Sequence, residues 1–185
     1  MSSQRDIVLV PLKSFQVAKS RLRARLGDVV VNDLVAELAT NVITACAPRT
    51  VIVLGDTSDT AAFALGLGVA FFHTPPGLNA AIETAYQDLT ADAARVTVVH
   101  GDLRFPRGLG AWNAPCDVTI VSDRHERGTN VLSVPTGVGF HFSFGEHSAS
   151  RHATEAHRLG LAVEIISDSP WRFDVDEPED LDVTE

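Results

Sequence analysis

IVLVPLKSFQVAKSRLRARL, residues Ile7–Leu26, is the stretch on which the reading of the fold turns. Ile7 to Val10 is a short apolar run suited to a strand buried on both faces, and Pro11 ends it because proline has no N–H for a sheet ladder. A loop is expected next. It carries Lys13, Lys19, Arg21, Arg23 and Arg25, five of the chain's 15 basic residues, in a protein of net charge −9. The only two lysines of the chain stand in it. A local cation cluster on an acidic chain calls for an anion, and a compact ammonium can neutralise a phosphate as a point charge. The competing reading is a helix start with a solvated basic face.

From this stretch outward the pattern alternates between two periods. Val31 to Ala45 has apolar residues at three-to-four spacing, as a helix with one buried face requires, and Pro48 stops it. TVIVL at Thr50–Leu54 is a continuous β-branched run, and a short helix at Thr60–Leu67 leads to a strand at Val69–Phe72. This is βαβαβ. After the rigid turn Pro75-Pro76-Gly77, a helix at Leu78–Leu89 and a strand at Arg95–Val99 continue the series, and Asp117–Val121 repeats the strand pattern. Beyond the loop DRHERGTN, a pair of short strands is expected at Val131–Pro135 and Gly139–Phe144. A helix at Ser148–Leu159, a strand at Leu161–Ile166, an extended segment at Trp171–Asp176 and a helical tail from Pro178 complete the chain.

Composition narrows the function classes. With 185 residues, 45% hydrophobic and 21% charged, one domain over residues 1–185 with a continuous core is expected. An acidic surface disfavours nucleic acid and anionic membranes as partners. The opening MSSQRD leads into an apolar run too short for a signal peptide or membrane span, so a cytoplasmic address is expected. Cys46 and Cys116 have neither metal-ligand spacing nor a CxxC pairing and read as free thiols. The pattern leaves both a monomer and a homodimer open.

Several residues could carry chemistry. Asp102 follows a strand's carboxyl end, where open α/β sheets bind ligands, and Asp174 and Asp176 project to one side of an extended segment. Three such carboxylates can hold Mg²⁺, which prefers one or two carboxylates with waters and substrate phosphates. Equally, DVDEPED reads as the acid-rich start of a helix, and Asp102 as a turn residue. Gly128-Thr129-Asn130 offers a hydroxyl, an amide and a close backbone approach, or a plain turn. Gly145 and Ser148 precede a helix, where Ser148 can cap it or help bind an anion. His147, His152 and His157 stand about 140° apart on a helix and share no face, which argues against zinc. Walker, G-x-S-x-G and G-x-G-x-x-G motifs are absent.

In order and spacing, VPLKSFQVAKSRL, GLN at Gly77–Asn79, GDL at Gly101–Leu103, GTN at Gly128–Asn130, FGEHS at Phe144–Ser148 and FDVDEPEDL at Phe173–Leu181 resemble the 2-phospholactate/phosphoenolpyruvate guanylyltransferases of deazaflavin coenzyme biosynthesis. The resemblance covers nearly the whole chain. It implies a single nucleotidyltransferase domain with the glycosyltransferase-A-like fold, a three-layer α/β/α sandwich around a Rossmann-like mixed sheet. It implies that Lys13, Lys19 and Arg21 contact the triphosphate of GTP, that Asn79 lies by the nucleotide, and that Asp102 and Asp176 hold Mg²⁺. Lys13, Lys19 and Asp102 would then serve catalysis, and Thr129, Gly145 and Ser148 would bind a phosphorylated three-carbon acid. Arg104 stands where the family usually has proline and Arg127 where it usually has glycine, so both guanidiniums are expected to face the cleft. Two rival readings are a relative acting on a molybdopterin or sugar phosphate, and a non-catalytic nucleotide-binding protein.

Overall fold

The computed structural model describes residues 6–184. Its first strand, β1 (Asp6–Pro11), is buried on both faces, with Ile7 to Val10 each 5% exposed or less. Ile7 and Leu9 point into one apolar cluster and Val8 and Val10 into another on the opposite side of the sheet. Each such side chain removed from water contributes about 1.5–3 kcal/mol, which explains an apolar run without alternation.

The chain continues through α1 (Ser20–Leu26), α2 (Asp28–Ala45), β2 (Thr50–Gly55), α3 (Ser58–Gly66), β3 (Ala70–His73) and α4 (Leu78–Asp88). Then come β4 (Arg95–Val99), β5 (Val118–Ser122), β6 (Thr129–Pro135), α5 (Ser148–Arg158) and β7 (Val163–Ile166). The seven strands form one sheet in the order β3-β2-β1-β4-β6-β5-β7, with β6 antiparallel to both neighbours and all other pairs parallel. Ile82, Ala85 and Tyr86 of α4 and Ala149 and Ala156 of α5 cover one face; Val42 and Ile43 of α2 and Ala64 of α3 cover the other. The result is the expected three-layer α/β/α sandwich. No helix among the described residues is long and apolar enough to cross a membrane. The expectation placed on MSSQRD falls largely on residues 1–5, outside the described residues.

Three expected elements differ. The basic stretch is helical from Ser20, so the reading as a helix start with a basic face holds for α1. Gly139–Phe144 is not a strand. β6 already has β4 on one side and β5 on the other, leaving no edge for it. Its alternation is nevertheless physical: Phe140, Phe142 and Phe144 enter the core, while the N–H groups of His141, Ser143 and Phe144 donate to the side chains of Glu155, His152 and Asn79 instead of to a strand. Trp171–Asp176 is likewise broken, with a 3-10 turn at Pro170–Arg172 and a single antiparallel bridge between Leu103 and Asp174. The tail from Pro178 does turn, as a 3-10 helix with a capping box from Glu177 and Asp180.

Candidate active site

The parallel strands β1, β2 and β4 end along one edge of the sheet, and β3 and β4 lie on opposite sides of the β2-β1 pair, so the chain reverses its direction of travel beside β1. That switch point opens a crevice at the strands' carboxyl ends. A cleft of ≈ 810 Å³ lies there, lined by the loop after β1, by His100 to Asp102 after β4, by Thr129 and Asn130 of β6, by Gly145 and Ser148, and by Asp174 and Asp176. At its floor a Cβ on Gly101 would stand 2.5 Å from Leu12 Cδ2, so any larger residue there would have to displace the Leu12 side chain.

The five cations of the opening stretch have different fates. Lys13 is exposed on the cleft and makes no ion pair among the described residues. The Lys19 ammonium lies between Asp102 and Asp176, 2.6 Å from Asp176 Oδ1. Arg21 lines the cleft but pairs with Glu177 at 2.8 Å, and Arg25 pairs with Glu179 at 2.7 Å. Arg23 turns inward, donating to the carbonyls of Phe15 and Ala18 and to Asn32 Oδ1. From the other side Asp59, at the start of α3, accepts from Ser14 Oγ (2.8 Å) and Phe15 N (3.0 Å). Asp59 and Arg23 therefore hold the loop like two pins, and only Lys13 and Lys19 offer ammonium groups to the cleft.

The acids are assembled by a contact the sequence does not announce. Arg104 N donates to Phe173 O (2.8 Å) and Val175 N to Asp102 O (3.0 Å), docking the segment before the tail against the turn after β4. Asp180, buried at the start of the last turn, accepts from the N–H groups of Asp176 (2.8 Å) and Glu177 (2.7 Å). Ligand atoms of Asp102, Asp174 and Asp176 come within 4.8 Å of one another. Burial would lower the Lys19 pKa, but the charges of Asp102 and Asp176 outweigh it and keep the ammonium protonated. Burial would raise Asp102, but Lys19 and His100 hold it below the usual carboxylate range. Asp174 is pushed up to about 6 by burial and then by its two acidic neighbours.

These residues fit a hard divalent cation. The donors are all carboxylate oxygens, they already attract the Lys19 ammonium, and Asp102 Oδ1 is buried without a hydrogen-bond partner.

On the opposite wall Thr129 and Ser148 are 2% and 1% exposed, and Ser148 Oγ donates to Thr129 Oγ1 at 3.0 Å. Gly145, at φ +118°, holds a conformation that side chains rarely adopt. The first N–H groups of α5 are not all open to an anion: Ser148 N donates to Gly145 O (3.1 Å) and Ala149 N to Arg127 O (3.2 Å). Asn79 is not among the cleft-lining residues; its amide makes two bonds to the Phe144 backbone, at 2.7 and 3.1 Å, and so braces the segment that leads into Gly145. Neither Arg104 nor Arg127 lines the cleft. The Arg104 guanidinium donates to Leu181 O (2.7 Å), while Arg127 is exposed on a loop whose N–H groups fold onto Asp123. His100, Asp59, Asp180 and His152 are the residues that sequence reasoning missed. Only His152 left a readable signal, since it stands four residues after Ser148 on the same helical face.

The mostly parallel sheet with one reversed strand has the glycosyltransferase-A-like α/β fold, and the family match over residues 6–184 makes this chain a nucleotidyltransferase. A structure described as a putative nucleotide-diphospho-sugar transferase from Desulfovibrio desulfuricans superposes with a TM-score of 0.77 at 18% identity, over 95% of this chain and 84% of that one. The family model described as "Guanylyl transferase CofC like" matches residues 6–184, and the chain belongs to that family. It is similar to the phosphoenolpyruvate guanylyltransferase of Chloroflexus aggregans, 30% identical over 94% of both chains. It is also similar to the 3-phospho-D-glycerate guanylyltransferase of Phenylobacterium zucineum, 30% identical over 88% of this chain and 82% of the relative.

Proposed function

We propose that this protein transfers GMP from GTP to a phosphorylated three-carbon carboxylic acid, with phosphoenolpyruvate, 2-phospho-L-lactate or 3-phospho-D-glycerate as the candidate acceptors. The carrying observation is the two-walled cleft: lysines and three carboxylates on one wall, and a buried hydroxyl pair with a glycine turn on the other. The wall with Lys13 and Lys19 suits a triphosphate, and the wall with Thr129, Gly145 and Ser148 suits a small anion.

In this reading a phosphate oxygen of the acceptor attacks the α-phosphorus of GTP, a P–O bond forms, and the bond to pyrophosphate breaks. The acceptor phosphate has a second pKa of about 6 and is largely dianionic near neutral pH, so the site needs no general base. What it must do is align two polyanions and offset their repulsion. Lys13 supplies a free positive charge to the phosphates. Asp102 and Asp176, with Asp174 beside them, would hold Mg²⁺, which would supply positive charge to offset the negative charge of the phosphates. With phosphoenolpyruvate or 2-phospholactate the product would serve deazaflavin coenzyme biosynthesis, as the family resemblance suggests.

Pyrophosphate release is the test, measured with GTP and Mg²⁺ and each of the three acids in turn. Release with at least one acid is expected. Release with none, by a folded protein, would refute the reading.

A further inference from the structure

The acceptor wall contains a histidine with no place in the chemistry above. His152 of α5 is fully buried, between Phe140 and Phe144, with ring centroids 6.0 and 4.7 Å away. Its two nitrogens have different partners: Nε2 accepts from Ser143 N at 3.0 Å, and Nδ1 lies 3.2 Å from Thr129 Oγ1.

These contacts determine where the protons are. A backbone N–H can only donate, so Nε2 carries no proton. Burial, and then the charges of Arg151 and His100, lower the His152 pKa to about 3, so the ring is neutral at physiological pH and its one proton is on Nδ1. Nδ1–H must then donate to Thr129 Oγ1. Ser148 Oγ donates to the same oxygen. A hydroxyl oxygen has two lone pairs, and both are now occupied.

Building on the guanylyl-transfer reading, we propose that His152 is a positioning residue for the acceptor: with Ser148 it fills both lone pairs of Thr129 Oγ1, leaving the Thr129 hydroxyl able only to donate, into the cleft. The ligand group this selects is a hydrogen-bond acceptor, such as a phosphate or carboxylate oxygen, because a donor there would meet no acceptor. The same ring holds Ser143 N, one residue before Phe144 and two before Gly145, so a single side chain sets both the hydroxyl direction and the position of the glycine turn. Such a site recognises a small acid by fixed dipoles and needs no arginine, in keeping with the positions of Arg104, bound to Leu181 O, and of the exposed Arg127, neither of which lines the cleft. It also ranks the two hydroxyls: Thr129 touches the acceptor as donor, and Ser148 acts chiefly through Thr129.

Two substitutions separate the two nitrogens. In His152→Asn the amide nitrogen stands near the place of Nδ1 and keeps the donor to Thr129; in His152→Gln the amide oxygen can keep the Ser143 contact while the Nδ1 donor is lost. The acceptor KM is expected to rise about tenfold or more in His152→Gln and by less than about threefold in His152→Asn, with the GTP KM within about twofold in both. Thr129→Val should raise the acceptor KM more than Ser148→Ala does, and this comparison stands even where a His152 variant fails to fold. Equal acceptor KM values in His152→Asn and His152→Gln, with changes only in melting temperature, would overturn the inference and make His152 a packing residue. A larger defect in Ser148→Ala than in Thr129→Val would overturn the assigned donor direction. Both outcomes leave wild-type turnover intact; absence of pyrophosphate release by the wild type with all three acids would instead remove the reading on which the inference rests, and the inference with it.

Discussion

Lys13 is the single cation of the opening stretch with no ion pair among the described residues, so its charge is the one most directly available to a ligand. Losing a charge-assisted phosphate contact costs about 1.5–3 kcal/mol, so Lys13→Ala should weaken GTP binding by roughly 10- to 100-fold. Calorimetric titration of a folded variant checks this, and unchanged affinity would refute it. The carboxylates give the second prediction at this scale. Asp102→Asn and Asp176→Asn each replace a charged oxygen donor by an amide and remove a partner of Lys19. Both are expected to abolish Mg²⁺-dependent turnover and to weaken Mn²⁺ binding, read by electron paramagnetic resonance without nucleotide. Full turnover at saturating Mg²⁺ would show that the substituted residue is not a ligand.

At the scale of elements, the loop between β1 and α1 lacks internal regular structure and takes its shape from Asp59 and Arg23 on its two sides. Burial would raise the Asp59 pKa, but donors from Thr57, Ser14, Phe15 and Thr60 outweigh it and lower it, so the pin is a charged acceptor. Asp59→Ala should raise the GTP KM about tenfold while leaving the acceptor KM nearly unchanged, because small misplacements of a binding group are costly in rate. Steady-state kinetics with each substrate varied separately would detect it. The chain from Gly139 to Phe144 is held in a comparable way, with Glu155 of α5 accepting from His141 N and pairing with Arg158 at 2.7 Å. The Arg158 hydrogen bonds, against some opposing burial, lower the Glu155 pKa from 4.5 to about 2. A depressed folded-state pKa means that the contribution is present above about pH 4.5 and is lost as pH falls toward 2. Glu155→Gln should therefore be less stable than wild type by about 0.5–1 kcal/mol at pH 7, with the gap closing across that window. Urea unfolding at a series of pH values provides the check.

For the whole molecule, a ligand that binds only the folded state adds RT ln(1 + [L]/Kd), about 2.7 kcal/mol at one hundred times Kd. The cleft joins residues from the first loop to Asp176, just before the last turn, so filling it stabilises the whole sheet. For a domain of this size that energy corresponds to a rise in Tm of roughly 5–10 °C. GTP with Mg²⁺ should produce such a rise, and ATP or UTP at equal concentration should produce much less. Scanning calorimetry with the three nucleotides would decide it, and equal shifts would count against guanine selectivity.

The alternation of strands and helices, most of the strands and the β1 loop were legible from local sequence, because burial on both faces, helical spacing and proline or glycine stops act over a few residues; the three-layer order followed only from the family resemblance. Thr129, Gly145, Ser148 and Asp102 were legible only as separate candidates, each with an ordinary turn or cap as its alternative. What only the tertiary structure decided is which partners they have. Asp174 and Asp176 meet Asp102 across more than seventy positions through backbone bonds that carry no side-chain signature. Asn79 braces Phe144, Arg23 ties the loop, Arg104 reaches Leu181, and His152 joins Thr129 to Ser143. The physical reason is the same in each case. Periodicity tells whether a side chain is buried, but a hydrogen bond or ion pair depends on two groups coming within about 3 Å, and for distant residues that distance is a property of the assembled layers.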